Sequence, residues 1–217
     1  MPMIVPLGSA CVAEALRRGE PAVVPLPSPL PYVVVARDPQ TVNGAKGRPL
    51  DQAVGVGVAD LRVVSDALAL GEPDLRFVDW LLTSEQASVL VPVGTTVPTW
   101  LAPAVRDGLA FIVSSWLPAH RPVIGEFLYL YMSSANLTQS PPAVTATQAQ
   151  AMFGDRVLIE DGDCARNPGV AHGSTTMLRA ASFEDLEVQR HGINNAAFQG
   201  DDAAYLTDLR RRYQVAR

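Results

Sequence analysis

Three short polar stretches of this 217-residue chain hold residue types that handle phosphate. The first is Asn43-Gly44-Ala45-Lys46-Gly47-Arg48-Pro49. Two cations flanking one glycine can converge on a single anion, and the Arg48 guanidinium can offer a phosphate two parallel hydrogen bonds. The second is Met132-Ser133-Ser134-Ala135-Asn136-Leu137-Thr138, directly after the apolar run Phe127–Tyr131. Hydroxyls and an amide at a strand's end suit the ligand crevice of an open α/β sheet. Ser134 and Asn136 share one side there if the chain stays extended. The third is His172-Gly173-Ser174-Thr175-Thr176, followed by Gln189-Arg190-His191-Gly192. If strands over these segments pair as a hairpin, Ser174 and Arg190 meet at one end, a hydroxyl beside a cation. Taken singly, each stretch also reads as a solvated polar turn.

Other chemistries lack their residues. The chain has no Walker A, GxGxxG, GxSxG or HExxH motif. His120, His172 and His191 show no ligand spacing, and Cys11 and Cys164 form no CxxC. Asp161-Gly162-Asp163 reads as a turn, and Trp80, Trp100 and Trp116 as core or cleft walls. No side chain is therefore assigned as a covalent nucleophile or a metal ligand.

The elements that must position the three stretches follow from periodicity. Ser9 caps a helix over Ala10–Arg18, closed by Gly19. Strands are expected at Ala22–Leu26, Tyr32–Ala36, Ala53–Val58, Val89–Val93, Leu109–Ser114, Phe127–Met132, Val157–Glu160, Thr175–Arg179 and Leu186–Gln189. Helices are expected at Leu61–Leu70, Asp74–Leu82 and from Thr145 to Phe153, the last with a Thr145/Gln148 capping box. Pro25, Pro27, Pro29 and Pro31 predict an extended, polyproline-like segment at an edge or along a cleft. Asp38–Pro49 is polar and glycine-containing, and within it Asn43-Gly44 and Lys46-Gly47-Arg48-Pro49 read as turns. Alternating strands and helices without repeats or linkers predict a single α/β domain over residues 1–200, and closely spaced late strands predict a mixed sheet. Residues 201–217 form a further amphipathic helix, packed on that domain or extending from it, with Ala203, Leu206, Leu209 and Tyr213 on one face.

Hydrophobic residues make up 48% of the chain and charged residues 18%, enough for a core and too apolar for long disordered tracts. A net charge of −5 excludes a global basic field for nucleic acid, though not a local basic cleft. No run reaches membrane-spanning length and the N-terminus lacks signal-peptide features, so a soluble, cytoplasmic protein without membrane contact is expected.

In order and spacing, the three stretches resemble the YrdC family, the threonylcarbamoyl-AMP synthases. That family carries Lys-x-Arg, Ser-x-Asn, a Ser-Thr strand and Arg-x-Gly; here they stand as Lys46-Gly47-Arg48, Ser134-Ala135-Asn136, Ser174-Thr175 and Arg190-His191-Gly192. Ser133–Leu137 resembles the family's TSANLS. The likeness runs over roughly residues 10–195. It implies a twisted mixed sheet with helices around a concave cleft. It also implies an enzyme that joins L-threonine, bicarbonate and ATP with pyrophosphate release, for tRNA modification. Lys46, Arg48, Ser134 and Asn136 would hold the phosphates, with Mg2+ bridging them. Ser174 and Arg190 would complete the nucleotide site.

The amino-acid half departs from the family. Its PTDTVYGL stretch corresponds to Pro25–Tyr32, where only Ser28 replaces a threonine hydroxyl toward the substrate. Its RVP element reads Trp116-Leu117-Pro118, without the arginine, and its WPGPLT is lost after Trp80. The acceptor is thus expected to be L-threonine or another amine. Two other classes stand beside the enzyme. One is a non-catalytic protein binding nucleotide or double-stranded RNA; the other is a scaffold docking through its C-terminal helix.

Overall fold

Runs such as Ala22-Val23-Val24 and Tyr32-Val33-Val34-Val35 are too β-branched and too continuously apolar for a surface helix, and they become the buried centre of a sheet. The structure, a computed structural model, describes residues 4–138 and 140–217. Along the chain run β1 (Ile4–Pro6), α1 (Ala10–Arg17), β2 (Ala22–Pro25), β3 (Tyr32–Ala36), α2 (Pro39–Ala45), β4 (Gly55–Val58), α3 (Glu72–Thr83), β5 (Ser88–Pro92) and β6 (Val105–Arg106). They continue as β7 (Leu109–Val113), α4 (Arg121–Phe127), β8 (Tyr129–Ser134), α5 (Ala146–Phe153), β9 (Leu158–Asp161), β10 (Met177–Ala180), β11 (Leu186–Arg190) and α6 (Asp202–Ala216).

The strands form one sheet in the order β1-β9-β2-β3-β8-β4-β7-β5-β10-β11, with β6 beside β7. It is mixed, as expected. β4 runs parallel to β7 and antiparallel to β8, while β10 runs parallel to β5 and antiparallel to β11. One face of the β2–β3–β8–β9 half packs Val23, Val34, Tyr131 and Ile159 against α2 and α5 residues such as Val42 and Phe153. The opposite face packs Val24, Val33, Val35 and Met132 with α1 and α4 residues such as Leu16 and Ile124. A third cluster joins β4, β5, β7 and β10 to α3 and α6.

Three expectations change. The residues 61–70 are not one helix but two short 3-10 turns, Leu61–Val63 and Ser65–Ala67. Asp60 does cap the first, accepting from Arg62 N at 2.8 Å, but Val63, Val64 and Ser65 are poor helix formers and the chain breaks at Val64. The four prolines form no extended edge, but Pro27 and Pro31 do border cavities, as the cleft alternative had it. Pro25 closes β2 opposite Tyr32 of β3, and both strands lie inside the sheet. Residues 26–31 make the hairpin loop, closed by Leu30 N donating to Pro27 O at 2.8 Å. The Ser28–Pro29 peptide bond there is cis. A loop demands no ladder donors, so it accepts prolines that a strand interior would reject. Asn43-Gly44 is no turn either. Asp38 caps α2 by accepting from Thr41 N, Pro39 takes a first-turn position, and the helix ends only at Lys46.

Candidate functional site

The end of α2 and the end of β8 meet at the sheet's open face. Gly47 takes φ +64°, a left-handed turn that stops α2 and brings Lys46 and Arg48 to the same side. The Lys46 ammonium donates to Ser134 O and, at 2.8 Å, to Asn136 Oδ1. Ser134 Oγ donates to the same Asn136 oxygen at 2.6 Å. Asn136 donates through Nδ2 to Leu137 O and Ser140 O, which fixes its amide plane. Ser134 and Asn136 do converge, through a turn after β8 rather than by staying extended; Asn136 N donates to Ser134 O at 2.9 Å.

Arg48 is held from below by a residue the motif reading did not single out for a role. Asn43, wholly buried, accepts from Arg48 Nε and donates to Leu50 O at 2.9 Å and Gln52 O at 2.8 Å. That leaves the two terminal nitrogens of the guanidinium for the cleft: Nη1 lies 3.4 Å from Ser133 Oγ, and Nη2 is buried without a partner among the described residues. The signal for Asn43 was its place one turn before Lys46 in a helix, which a turn assignment hid.

Arg190 and Ser174 arrive from the far side of the sheet. Met177 of β10 pairs with Arg190 at the end of β11, and Arg190 Nη2 donates to Thr175 O at 3.2 Å. Gly192 lets this crossing close: a Cβ there would lie 2.3 Å from Thr176 N and 2.4 Å from Thr175 C, so only glycine fits between these backbones.

All six residues line one cleft of two adjoining cavities. The larger, about 300 Å³, is bordered by Lys46, Arg48, Ser134, Asn136 and Arg190. The smaller, about 90 Å³, is bordered by Ser174, Thr175, Ser134 and Arg190 together with apolar side chains. Phe111, Ser133, Ser134 and Arg190 belong to both walls. Among the described residues no aspartate or glutamate lines either one. Burial, with the nearby Arg48 charge, pulls the Lys46 ammonium down to about 7. Burial also lowers Arg48 and Arg190 from the ordinary arginine value. Crowded cations without counter-charges form a site that gains from an incoming anion.

Ser28 lies apart from this lining. Its hydroxyl sits 3.1 Å from His172 Nε2 and accepts from Asn167 N at 2.8 Å, tying the proline hairpin to the segment before β10. Arg166 reinforces the tie by donating to Leu30 O and Val144 O and lying 5.0 Å above the Tyr32 ring. Asp163 accepts from Tyr32 Oη at 2.6 Å and from Ala146 N at 3.1 Å, so the Asp161–Asp163 turn anchors the start of α5.

A twisted mixed sheet with an open basic cleft at the ends of β8 and β11 gives this chain the fold of a YrdC-like α/β domain. The solved structures similar to it include a Sua5 variant of P. abyssi, with a TM-score of 0.64 at 17% identity over 88% of this chain and 57% of that one. The chain thus spans little more than half the length of Sua5. Full-length HypF matches with a TM-score of 0.64 at 16% identity over 86% of this chain and 29% of its own. The protein smu.1377c of Streptococcus mutans UA159 matches with a TM-score of 0.67 at 14% identity over 96% and 95% of the two chains. No protein-family model matches the sequence, and no curated protein does. Identities this low carry the fold and leave the activity to the site. Among the described residues no helix is long and apolar enough to cross a membrane.

Proposed function

We propose that this chain binds ATP and activates a carboxylated amine as its adenylate. The observation that carries the reading is the convergence of Lys46, Arg48 and Arg190 on one cleft whose described lining holds no carboxylate. A triphosphate brings the negative charge those three cations lack. Ser134 and Asn136 add donors at the same end, and Ser174 and Arg190 stand where the α-phosphate and the attacking carboxylate would meet.

In the reaction proposed, an amine and bicarbonate give a carbamate and water. A carbamate oxygen attacks the α-phosphorus, the α–β phosphoanhydride bond breaks, and pyrophosphate leaves. Such a displacement needs aligned reactants and neutralised charge rather than a protein nucleophile. Buried guanidinium and ammonium groups supply that neutralisation without reorganising. Among the described residues no three His, Cys, Asp or Glu side chains gather into a metal site. Mg2+ would enter this cleft as the counter-ion of ATP and add charge neutralisation at the phosphates, with the Ser134 hydroxyl of this wall as the protein oxygen that would hold it. Two neighbours support the reading: HypF has been solved in a phosphate- and nucleotide-bound form, and P. abyssi Sua5 in complex with L-threonine.

The test is calorimetry with ATP and Mg2+ on the wild type and a Lys46→Ala/Arg48→Ala variant. Hydrogen bonds to charged groups contribute about 1.5–3 kcal/mol each, so losing two should weaken ATP binding at least about 100-fold. Equal affinity in both proteins removes these residues from the site. Pyrophosphate release with bicarbonate and a panel of amines then tests the chemistry.

A further inference from the structure

Beside the phosphate end, aromatic rings stand where two side chains of β4 would be. A Cβ on Gly55 would come 2.8 Å from Phe111 Cε1. A Cβ on Gly57 would come 2.6 Å from Trp116 Cζ2 and 2.7 Å from Met132 Sδ. The indole N–H of Trp116 donates to Val58 O at 2.8 Å, which locks the ring over the strand. The two glycines and the two rings thus build one floor: β4 gives up its side chains, and flat apolar surfaces take their place.

This floor divides the open face. On the phosphate side lies the cavity of about 90 Å³, whose apolar wall is Leu26, Pro31, Val33, Phe111, Val113 and Met132 and whose one charged group among the described residues is Arg190. On the other side lies a cavity of about 530 Å³ bordered by Trp116, Ser115, Asp60, Asp79 and Arg121. Trp116 belongs to the second wall, Met132 to the first, and the two side chains meet over Gly57.

We infer that the acceptor subsite beside the nucleotide takes a short apolar carboxylate, carbon-borne or as the carbamate of a short alkylamine, and that Trp116 sets this limit. The inference rests on the nucleotide reading above and names its acceptor. A single carboxylate finds Arg190 and the hydroxyls of Ser134, Ser174 and Thr175. A short alkyl group finds the apolar wall. An ammonium or a second carboxylate there would be desolvated without a partner, which is strongly unfavourable. Opposite charges suited to an amino acid, Asp79 and Arg121, lie beyond Trp116. In either case the acceptor's carboxylate oxygen bonds to the α-phosphorus and pyrophosphate leaves; the carbamate arm also consumes bicarbonate and releases water.

The test is pyrophosphate release by the full chain with ATP and Mg2+ in three arms. They are propionate or isobutyrate without bicarbonate, methylamine or isopropylamine with bicarbonate, and L-threonine with bicarbonate. Wild type is expected to release pyrophosphate in one of the first two arms at least ten times faster than with L-threonine. Dependence on bicarbonate tells carbamate from carboxylate. Trp116→Ala removes the ring that stands with Met132 over Gly57 between the two cavities and is expected to raise the L-threonine arm at least tenfold while ATP affinity stays within twofold. Trp116→Leu, with a thermal melt beside it, decides the question if the alanine variant does not fold, and should shift the same way. Fastest release with L-threonine in wild type overturns the inference, as does ATP binding without release in any arm. Folded Trp116 variants with an unchanged acceptor profile overturn the role of Trp116. Absence of ATP binding instead overturns the nucleotide reading, and the acceptor with it.

Discussion

A lysine only 5% exposed, beside an arginine and in a cleft whose described lining holds no carboxylate, is an energetic liability until an anion arrives. Its proton is held at about 7 in the folded chain, against 10.5 for a free side chain. The sign of the consequence follows. Between pH 7 and 10.5 the unfolded chain keeps a proton that the native protein has lost, so stability rises with pH across that window. Below 7 both states hold the proton, and the native state bears the whole desolvation penalty. Lys46→Met removes the titration. Urea midpoints of wild type minus Lys46→Met are therefore expected to move in favour of wild type from pH 6 to pH 10, and a flat difference would count against a depressed lysine. ATP acts in the opposite direction, because bound phosphate keeps the ammonium protonated; its affinity should fall as pH rises above 7. The Lys-x-Arg spacing was readable in the chain because two cations around one glycine advertise themselves. What burial does to them was not, since it depends on β8 and α2 closing over the lysine.

At the scale of elements, α2 does the positioning. A sequence rich in Gly and Asn argued for turns, yet the Asp38 cap and Pro39 start a helix that places Asn43 beneath Arg48. The hairpin of β10 and β11 was legible from two short apolar runs, and it does bring Ser174 and Arg190 to one cleft. The proline run was misleading in the other direction: its spacing suits an extended segment, but Arg166, Asn167 and His172, distant in sequence, fasten it as a hairpin loop. No local pattern carries contacts across such separations. The role of Asn43 is open to a double-mutant cycle. Asn43→Ala takes from the Arg48 Nε and from the Leu50 and Gln52 carbonyls the partner that Asn43 gives them, and should cost about 1–3 kcal/mol of stability. It should also weaken ATP binding roughly tenfold, through a guanidinium no longer aimed at the cleft. In an Arg48→Ala background the same change should leave affinity unaltered, because nothing remains to aim. Additive losses of affinity would make Asn43 a purely structural residue.

Across the whole molecule, the cleft wall is held by the last helix. Tyr205 Oη donates to Glu85 Oε1 at 3.0 Å, Arg212 pairs with the other Glu85 oxygen, and Asn194 Nδ2 donates to Glu85 O at 2.6 Å. The next residue, Gln86, accepts from Thr175 Oγ1 at 3.2 Å, and Ser88 N donates to that hydroxyl at 2.9 Å. Thr175 lines the smaller cavity. A chain of contacts therefore leads from α6 to the ligand face. The helix also seals the third core cluster, with Tyr205, Leu209 and Tyr213 all buried and Tyr213 ringed by Phe77, Trp80 and Phe183. Burial of three large apolar side chains contributes about 5–9 kcal/mol, at roughly 1.5–3 kcal/mol each. A domain's entire stability is about 5–15 kcal/mol. A protein ending at Gly200 is thus expected to lose cooperative urea unfolding, and Thr175 its fixed wall. Tyr205→Phe, which keeps the packing and drops one hydrogen bond, should unfold at a urea midpoint lowered by about 1 kcal/mol of stability while ATP affinity holds. A shortened chain that unfolds at the wild-type midpoint would make α6 an appendage rather than a wall of the fold.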